Sequence, residues 1–340
     1  CLCCSSSSLW EMMTAEGYGV VFISHKLDEV MAFSQRVTVL RKGRLVATVA
    51  TEATTKERLA EMMVGEKVVL EIDRPAMAPG RTILECRDLR VLGDRGFPAI
   101  RDLSLSVREH EVLGIAGVAG NGQQELCEAL VGLRTADRGR VIVDGEDLTN
   151  ASPRTFIRKK VHYIPADRKG TGLVANMDVK ENSILKRYSA RPVSKGGFID
   201  WKEVASFART VVSRFGVNAP STETPVRNLS GGNLQKLMLG RELSDSPKAV
   251  LAMHPTWGLD VAATKFVREQ LLAQRERGAA VLLVSEDLDE LLSMSDRLAV
   301  LCKGELMGVL DAPDRTPVET IGLMMAGTPL AEIEGAEVSA

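Results

Sequence analysis

Residues 228–241 combine the residue types and the spacing that best suit an anion-binding site. Ser230 is followed by two adjacent glycines and then by apolar residues at near-helical spacing. Glycine carries no Cβ, so the backbone of this loop can pass close to a ligand. The helix that follows directs backbone N–H groups and the positive end of its dipole at that ligand. The sequence therefore predicts a phosphate site here, although a Ser-Gly-Gly loop before an ordinary core helix has the same pattern.

A second glycine-rich stretch, at residues 117–124, has the frame of a phosphate-binding P-loop. A buried strand is predicted before it and a helix after it, and Gly117 and Gly122 have the spacing of a loop whose backbone N–H groups cradle phosphates. Gln123 and Gln124 stand where a P-loop has a lysine and a hydroxyl residue. Glutamine can donate a hydrogen bond but carries no charge, so nucleotide binding is expected to be weaker by about one to two orders of magnitude.

Residues 229–233 (LSGGN), followed by Gln235, resemble the signature motif of ABC-type ATPases. In that family the signature loop caps the γ-phosphate of an ATP molecule that is held by the P-loop of a different nucleotide-binding domain. The resemblance implies ATP and Mg²⁺ as cofactors. It places four signature residues at the nucleotide: Ser230, Gly231, Gly232 and Asn233.

The same resemblance assigns nucleotide-binding positions in and before the P-loop. Phe97 lies between two predicted antiparallel strands, where the family has an aromatic residue that stacks on adenine. Packing within the hairpin explains Phe97 equally well, because one short spacing does not fix a stacking partner. The P-loop positions assigned to the nucleotide are Gly117, Gly120, Asn121, Gly122, Gln123 and Gln124.

Residues that the family uses for hydrolysis are replaced in this part of the chain. The strand predicted at residues 249–254 ends in Met253 and His254, where the family has the aspartate that binds Mg²⁺ and the glutamate that polarises water. Glu286 replaces a histidine that contacts the γ-phosphate, and its negative charge repels phosphate. His254 has no second candidate ligand near it in the sequence, so we predict no metal site.

Two further positions relate to contacts with other subunits in the family. Asp260 is retained as the loop aspartate that crosses the interface between paired nucleotide-binding domains. Ala166 or Asp167 stands where a glutamine normally links the nucleotide site to the transport subunit.

The chain repeats part of its own sequence. Residues 278–305 align with residues 17–44 at a constant offset of 261, and twelve of the 28 aligned residues are identical. A period this long indicates a duplicated domain rather than a solenoid repeat. His25 occupies the position that corresponds to Glu286 and is the histidine that the family has at this position. Residues 20–23 are a short apolar run before His25 and predict a buried strand.

The repeat predicts that the chain holds the last part of one domain followed by a whole second copy, as in a subunit truncated at its N-terminus. The predicted fold is α/β, a P-loop ABC-type nucleotide-binding domain with a RecA-like core, an antiparallel β subdomain and a helical subdomain. The predicted organisation is an unstructured or artefactual segment at 1–10, the C-terminal part of a first ABC domain at 11–65, a linker at 66–81, a second ABC domain at 82–328 and a tail at 329–340.

Composition excludes several classes of protein. The 340 residues include 43 Lys and Arg against 45 Asp and Glu, a net charge of −2, so no basic face for nucleic acid is expected. This disfavours an ABC protein of the translation or DNA-repair type. The sequence contains no run of 18 apolar residues, and the six cysteines have no zinc-like spacing and are expected to be reduced thiols.

Over about residues 15–330 the chain resembles the tandem ATPase subunits of bacterial sugar and nucleoside ABC importers. The resemblance implies a subunit that couples ATP binding and hydrolysis to import of a nucleoside or simple sugar, on the cytoplasmic face of the plasma membrane. It implies transmembrane permease subunits as partners, a periplasmic or lipoprotein solute-binding protein as an indirect partner, and head-to-tail pairing with a complete ABC domain. In that pairing His25, Ser230 and Asp260 are the catalytic residues. The alternative is a non-catalytic nucleotide-binding or scaffold half of such a subunit.

Overall fold

The computed structural model describes residues 12–14, 16–24, 27–41, 43–65 and 73–337. The predictions for residues 1–10, for His25 and for residues 66–72 of the linker therefore lie outside the described residues. The chain divides into two compact units. Unit 1 is Cys1–Ile72 with Leu259–Phe266, and unit 2 is Asp73–Gly258 with Val267–Ala340.

Unit 1 is built from one antiparallel hairpin and short helices. Its elements are α1 (Leu27–Phe33), β1 (Arg36–Arg41), β2 (Arg44–Ala50) and α2 (Lys56–Val64). β1 and β2 pair antiparallel, as their patterns predict. A small apolar core joins the helices to β1 and consists of Leu27, Val30, Val39, Leu59 and Ala60.

The strand predicted at residues 20–23 is wrong. These residues have neither strand nor helix geometry, and Val21 and Ile23 are almost fully exposed. The matching residues of the second copy, Ala280–Val284, do form a strand, and it lies between two parallel neighbours. No such neighbour pairs with residues 20–23 in the described part of the chain. An apolar run therefore became a strand only where other strands satisfied its backbone groups.

Unit 2 begins with strands and continues as alternating strands and helices. Its strands are β3 (Thr82–Leu92), β4 (Pro98–Arg108), β5 (Val112–Ala116), β6 (Ala136–Val143), β7 (Glu146–Asp147), β8 (Val161–Ile164), β9 (Ser194–Lys195), β10 (Phe198–Ile199), β11 (Ala249–Met253), β12 (Ala280–Val284), β13 (Arg297–Cys302) and β14 (Glu305–Leu310). Its helices are α3 (Gln123–Leu130), α4 (Pro153–Arg158), α5 (Val179–Ser183), α6 (Trp201–Phe215), α7 (Gly231–Leu243), α8 (Val261–Glu276, which starts in unit 1), α9 (Leu288–Met294), α10 (Val318–Ala326) and α11 (Leu330–Glu337).

A six-stranded sheet of order β14-β13-β5-β12-β11-β8 forms the centre of unit 2. All neighbours are parallel except the hairpin of β13 and β14. β5, β11 and β12 are buried at every position, the pattern of strands covered on both faces. A second, antiparallel sheet of order β4-β3-β6-β7 packs into the same apolar core.

The helical part between β8 and β11 carries α5, α6 and α7. α6 is amphipathic, and Asp200 caps its N-terminus, where its carboxylate accepts from the N–H groups of Lys202 and Glu203. It ends at Gly216, which has a positive φ of 60°. The α/β core, the antiparallel sheet and this helical part confirm the predicted ABC-type fold of unit 2.

The two copies of the repeated sequence have the same local structure. α1 and α9 begin and end at positions 261 apart, as do β1 and β13. The register of both hairpins shifts at equivalent places, between Val39 and Leu40 and between Val300 and Leu301. The repeat therefore specifies the same helix, the same strand and the same irregularity twice, whereas the surroundings of the two copies differ.

Among the described residues, no helix combines the length and the apolar character that a membrane span requires. Cys86, Cys127 and Cys302 are free and buried.

Candidate functional site

The P-loop, residues 117–124, runs from the end of β5 into α3, as predicted. Its three glycines all have positive φ, 155° at Gly117, 83° at Gly120 and 99° at Gly122. A Cβ on Gly122 would lie 2.3 Å from the carbonyl oxygen of Ala99, so only glycine fits between the loop and β4. The loop therefore has the backbone path that a phosphate cradle requires.

The side chain of Gln123 closes this loop from inside. Its Oε1 accepts a hydrogen bond from the N–H of Asn121 at 3.1 Å, and its Nε2 donates to the carbonyl of Val118 at 3.1 Å. Gln123 is buried, and a Cβ on Gly117 would lie only 2.7 Å from its Nε2. One backbone N–H that a P-loop offers to phosphate is thus already occupied by a carboxamide of the same chain.

Further contacts hold the P-loop against the turn that joins β13 to β14. The carbonyl of Asn121 accepts from the N–H of Gly304 at 3.1 Å, and its Oδ1 accepts from the N–H of Lys303 at 2.9 Å. Gln124 points away along α3, where its Nε2 donates to Glu128 at 2.7 Å. The two glutamines thus have different environments, one inside the loop and one exposed.

The signature loop, residues 229–233, leads into α7 and presents an open helix N-terminus. Ser230 is the N-cap residue but its side chain makes no capping bond to the backbone. Instead its Oγ accepts from Nδ2 of Asn233 at 2.9 Å, and Oδ1 of Asn233 accepts from the N–H of Asn218 at 2.8 Å. The first N–H groups of a helix have no intrahelical partner, so those at Gly231 and Gly232 remain available to an anion. Ser230 and Gly231 are exposed.

The described residues of unit 2 contain no hydrogen bond or ion pair between the P-loop and the signature loop. The two loops lie at the N-termini of different helices, α3 and α7. The two predicted anion-binding loops are therefore separate in unit 2.

Phe97 lies in the turn between β3 and β4, as predicted, and is 75% exposed. Its carbonyl accepts from the N–H of Gly93 at 2.8 Å, which closes the turn. The side chain therefore does not pack the hairpin, so the alternative that Phe97 serves only to fill the hairpin is wrong. Stacking on adenine stays a prediction.

The end of β11 carries the two residues that replace the family's acidic pair. Met253 is buried, and the hydroxyl of Tyr163 donates to its sulfur at 3.7 Å. His254 has a positive φ of 45° and donates its N–H to the carbonyl of Val284 at 2.8 Å. Burial lowers the pKa of His254, and this effect outweighs the opposite influence of Glu286 and Glu290. His254 is thus neutral at physiological pH, and it lies just beyond the end of β11 with a positive φ.

These surroundings do not fit Mg²⁺ at this P-loop. Gln124 offers a neutral carboxamide in place of a hydroxyl. Met253 offers a buried thioether in place of a carboxylate, so it supplies no oxygen ligand for Mg²⁺. In the described part of the chain no group of three or more His, Cys, Asp or Glu side chains is arranged to hold a metal.

Asp260 belongs to unit 1, where it precedes α8. Its Oδ1 accepts from the N–H of Ala263 at 2.8 Å, so it caps that helix, and the residue itself is exposed. His25, the third predicted catalytic residue, lies outside the described residues. The two predicted catalytic residues that can be placed thus lie in different compact units.

Sequence reasoning missed a buried group of charges beneath the signature helix. Glu242, near the C-terminal end of α7, is fully buried and pairs with Lys186 at 2.7 Å and Arg241 at 2.8 Å. His162 of β8 lies 3.2 Å from the same carboxylate. The sequence signal was the adjacent Arg241 and Glu242 near the end of a helix rich in leucine, but nothing in it identified Lys186 as a partner 56 residues away.

Comparisons with known proteins agree with this geometry. Residues 100–256 match the family described as ABC transporter. The chain is 44% identical over 319 residues to the glucose import ATP-binding protein TsgD13 of Haloferax volcanii, covering 93% of this chain and 58% of that protein. It is 39% identical over 312 residues to the nucleoside import ATP-binding protein NupA of Lactococcus lactis, covering 92% of this chain and 62% of that protein.

The chain thus spans about three fifths of the length of these relatives. Among solved structures, the ATP-binding cassette MJ1267 in its ADP conformation superposes with a TM-score of 0.59 at 21% identity, covering 74% of this chain and 98% of that one. At this identity the likeness shows the fold. Unit 2 thus has the fold of an ATP-binding cassette, residues 100–256 match the ABC transporter family, and the chain is similar to ATP-binding proteins of sugar and nucleoside import systems.

Proposed function

We propose that this chain is an ATP-binding component that couples ATP binding and hydrolysis to import of a nucleoside or simple sugar. The observation that carries the proposal is the open signature loop, whose exposed Ser230 and unpaired first-turn N–H groups face solvent while the P-loop of the same unit is closed by Gln123. The relatives, a glucose import and a nucleoside import ATP-binding protein, support the two solute classes.

The working site in this proposal is composite. A complete ABC domain pairs head-to-tail with this chain and supplies a P-loop with lysine, the metal-binding aspartate and the catalytic glutamate. This chain supplies the signature loop, whose N–H groups and Ser230 hydroxyl bind the γ-phosphate oxygens, with Asp260 at the interface. His25 contributes in the same site as a residue that contacts the γ-phosphate.

The contribution of the signature loop to the reaction is electrostatic. During in-line attack of water on the γ-phosphorus, negative charge is spread over the phosphate oxygens, and fixed N–H dipoles stabilise it without reorganising. The bond between Asn233 and Ser230, at 2.9 Å, orients the hydroxyl for that role. Mg²⁺ supplies charge neutralisation when bound, and in this proposal its ligands come from the other domain.

The P-loop of this chain has a secondary role in the proposal. It binds ATP weakly, because Gln123 carries no charge and its carboxamide must leave the N–H of Asn121 before phosphate can reach it. Hydrolysis there is slow or absent, since Met253, His254 and Glu286 do not supply the family's chemistry.

Partners and location follow from the same proposal. Transmembrane permease subunits bind the chain at the cytoplasmic face of the plasma membrane, and a periplasmic or lipoprotein solute-binding protein acts through them. No nucleic acid is involved.

The second candidate function is a non-catalytic nucleotide-binding or scaffold half of such a subunit. It is favoured by the closure of the P-loop around Gln123, which is the geometry of a site that does not turn over.

Reconstitution separates the two candidates. The 340-residue chain is mixed with a complete ABC domain that has an intact lysine P-loop and a mutated signature serine, and ATP turnover is measured. Under the importer proposal the chain stimulates turnover, and Ser230→Ala reduces the stimulated rate by about tenfold because a charge-assisted hydrogen bond is lost. The matched control is Ser206→Ala on the exposed face of α6, which should leave the rate unchanged. Equal rates for Ser230→Ala and the unaltered chain would favour the scaffold function.

A further inference from the structure

The π-helical turn Arg168–Gly172, which follows β8, is folded tightly around Asp167. Oδ1 of Asp167 accepts from the N–H groups of Lys169 at 3.0 Å and Gly170 at 2.9 Å, and its carbonyl accepts from Gly172 at 2.8 Å. A Cβ on Gly170 would lie 2.1 Å from Oδ2 of Asp167, so a larger residue there would displace the Asp167 carboxylate. These bonds fix the backbone from which the Arg168 side chain projects.

The turn packs directly on the signature helix. A Cβ on Gly172 would lie 2.5 Å from the sulfur of Met238, a residue of α7. Met238 lies three residues after Gln235, so the two side chains share one face of the helix. The turn after β8 and the first half of α7 are therefore in close contact.

The guanidinium of Arg168 bridges three parts of this region. Its Nε donates to Oε1 of Gln235 at 2.8 Å, and its Nη2 donates to the carbonyl of Trp257, in the loop after β11. Its Nη1 faces the start of the signature helix, where a Cβ on Gly231 would lie 3.7 Å away. One side chain thus joins the turn after β8, the signature helix and the loop after β11.

This arrangement has a cost in stability. Burial lowers the pKa of the half-buried Arg168, and no carboxylate in the described part of the chain forms an ion pair with it. Gln235 is 1% exposed, and its Nε2 has no hydrogen-bond partner because Oε1 is turned towards Arg168. A buried unsatisfied donor and a partly buried cation without a countercharge are both unfavourable for folding. Contacts that are retained at such a cost occur mostly at functional sites.

The far end of the same helix is fastened independently. Glu242, seven residues after Gln235, is held by Lys186 and Arg241 and lies 3.2 Å from His162 of β8. Loss of the Arg168 contacts would therefore free the start of α7, which carries the signature loop, while the rest of the helix stays attached to β8.

We propose that Arg168 is a positioning residue that holds the signature loop in its phosphate-binding geometry by tying Gln235 to the turn after β8 and to the loop after β11. This inference rests on the proposed composite site and adds to it the residue that keeps the signature loop in place. Arg168 acts through Gln235 and the start of α7, because its hydrogen bonds go to the Gln235 carboxamide and to the Trp257 carbonyl and not to the signature loop itself.

The first measurement uses the 340-residue chain alone. Amide hydrogen exchange is followed at residues 234–237, whose N–H groups are the first in α7 to have an intrahelical acceptor, and at the C-terminal half of α7. It is compared in the unaltered chain, in Arg168→Gln and in Arg209→Gln, which changes an exposed arginine on α6. We expect about tenfold faster exchange at the start of α7 in Arg168→Gln, no change near Glu242, and no change in Arg209→Gln. If Arg168→Gln made exchange uniformly faster along α7, or left the exchange rate at the start of α7 unchanged, the positioning role would be wrong.

The second measurement uses the reconstituted pair with a complete ABC domain. Arg168→Gln should raise the KM for ATP by about tenfold and change kcat by less than twofold, because the signature loop must be ordered before it binds. Arg168→Lys can keep one of the two hydrogen bonds and should therefore raise the KM for ATP by about a third less than Arg168→Gln does, on a logarithmic scale. Gln235→Met removes the acceptor and should reproduce Arg168→Gln.

The two measurements separate two kinds of failure. If the unaltered chain does not stimulate turnover, the composite site is wrong, and exchange at residues 234–237 still decides whether Arg168 positions the start of α7. If stimulation occurs and Arg168→Gln matches Arg209→Gln in KM and in exchange, the composite site stands and the inference about Arg168 is wrong.

Discussion

The P-loop and the signature loop both place glycines before a helix, yet one is closed and the other is open. In the P-loop, Gln123 is the first residue of α3 and folds back onto Val118 and Asn121. In the signature loop, the first residues of α7 are glycines, and the nearby Asn233 bonds to Ser230 rather than across the loop. A glycine-rich helix N-terminus thus provides the geometry for anion binding, and the side chain at the first helical positions decides whether the N–H groups are free.

The helices behind the two loops are also held differently. α3 packs through apolar side chains, with Leu126, Cys127 and Leu130 fully buried. α7 is additionally fixed by the buried charges around Glu242. The helix behind the closed loop is therefore held by apolar contacts, whereas the helix behind the open loop has buried ion pairs as well, and loss of one partner from such a pair is strongly destabilising.

The largest effect is expected from Glu242→Gln. It leaves Lys186 and Arg241 without a countercharge in a buried position, which should lower the free energy of unfolding by about 3 kcal/mol. Denaturant unfolding at pH 7 measures this. The matched control is Glu128→Gln on α3, whose ion pair with Arg134 is partly exposed and should be worth about 1 kcal/mol or less. If both variants lost the same free energy of unfolding, the distinction between the supports of α3 and α7 would be wrong.

Glu242→Gln should also change how the stability of the protein depends on pH. Burial acts to raise the pKa of Glu242, but Lys186, Arg241 and His162 outweigh it and hold the pKa well below its usual value of 4.5. A carboxyl with a lowered pKa in the folded state stabilises the protein above its unfolded pKa, and this stabilisation is lost as the pH falls below about 4.5. The loss on acidification should therefore be smaller in Glu242→Gln than in the unaltered chain.

The next largest effect is expected from Gln123→Lys, a substitution designed to open the closed P-loop. A lysine restores the charge that meets phosphate and removes the carboxamide acceptor of the Asn121 N–H, so ATP affinity of the chain should rise by about tenfold to thirtyfold. Titration with a fluorescent ATP analogue measures the change. Gln124→Lys places the same charge one residue later on an exposed side chain and should change affinity by about twofold at most. A similar gain in both variants would mean that charge alone, not closure by Gln123, limits binding.

The smallest effect is expected from Phe97→Ala. The side chain is 75% exposed, so the free energy of unfolding should change by less than about 0.5 kcal/mol. If Phe97 stacks on adenine, ATP affinity in the Gln123→Lys background should fall about fivefold while tripolyphosphate affinity stays the same. Equal changes for both ligands would contradict stacking.

The sequence predicted the fold of unit 2 and both glycine loops because these features are local. Strand–loop–helix patterns, glycine spacing and the alternation of apolar residues each depend on a few consecutive residues. The repeat was equally informative, since α1 and α9, and β1 and β13, begin and end at equivalent positions. Local sequence also set the shared register shift in the two hairpins.

Contacts between distant segments were not predictable in this way. Residues 20–23 have the same apolar pattern as β12, but only β12 has strands on both sides. The Arg168–Gln235 bond joins residues 67 positions apart, and the Glu242–Lys186 pair joins residues 56 positions apart. Nothing in the short charged stretch at residues 167–169 indicates which side chain turns inward.

By itself, the sequence of this chain determined the two glycine loops and the duplicated helix and hairpin, and it predicted that the family's hydrolytic residues are replaced. Only the tertiary structure decided that Gln123 closes its own loop, that Glu242 is buried among cations, and that Arg168 ties the signature helix to two other segments. The physical reason is that backbone geometry follows from neighbouring residues, whereas the partner of a buried polar group depends on which segments the fold brings together.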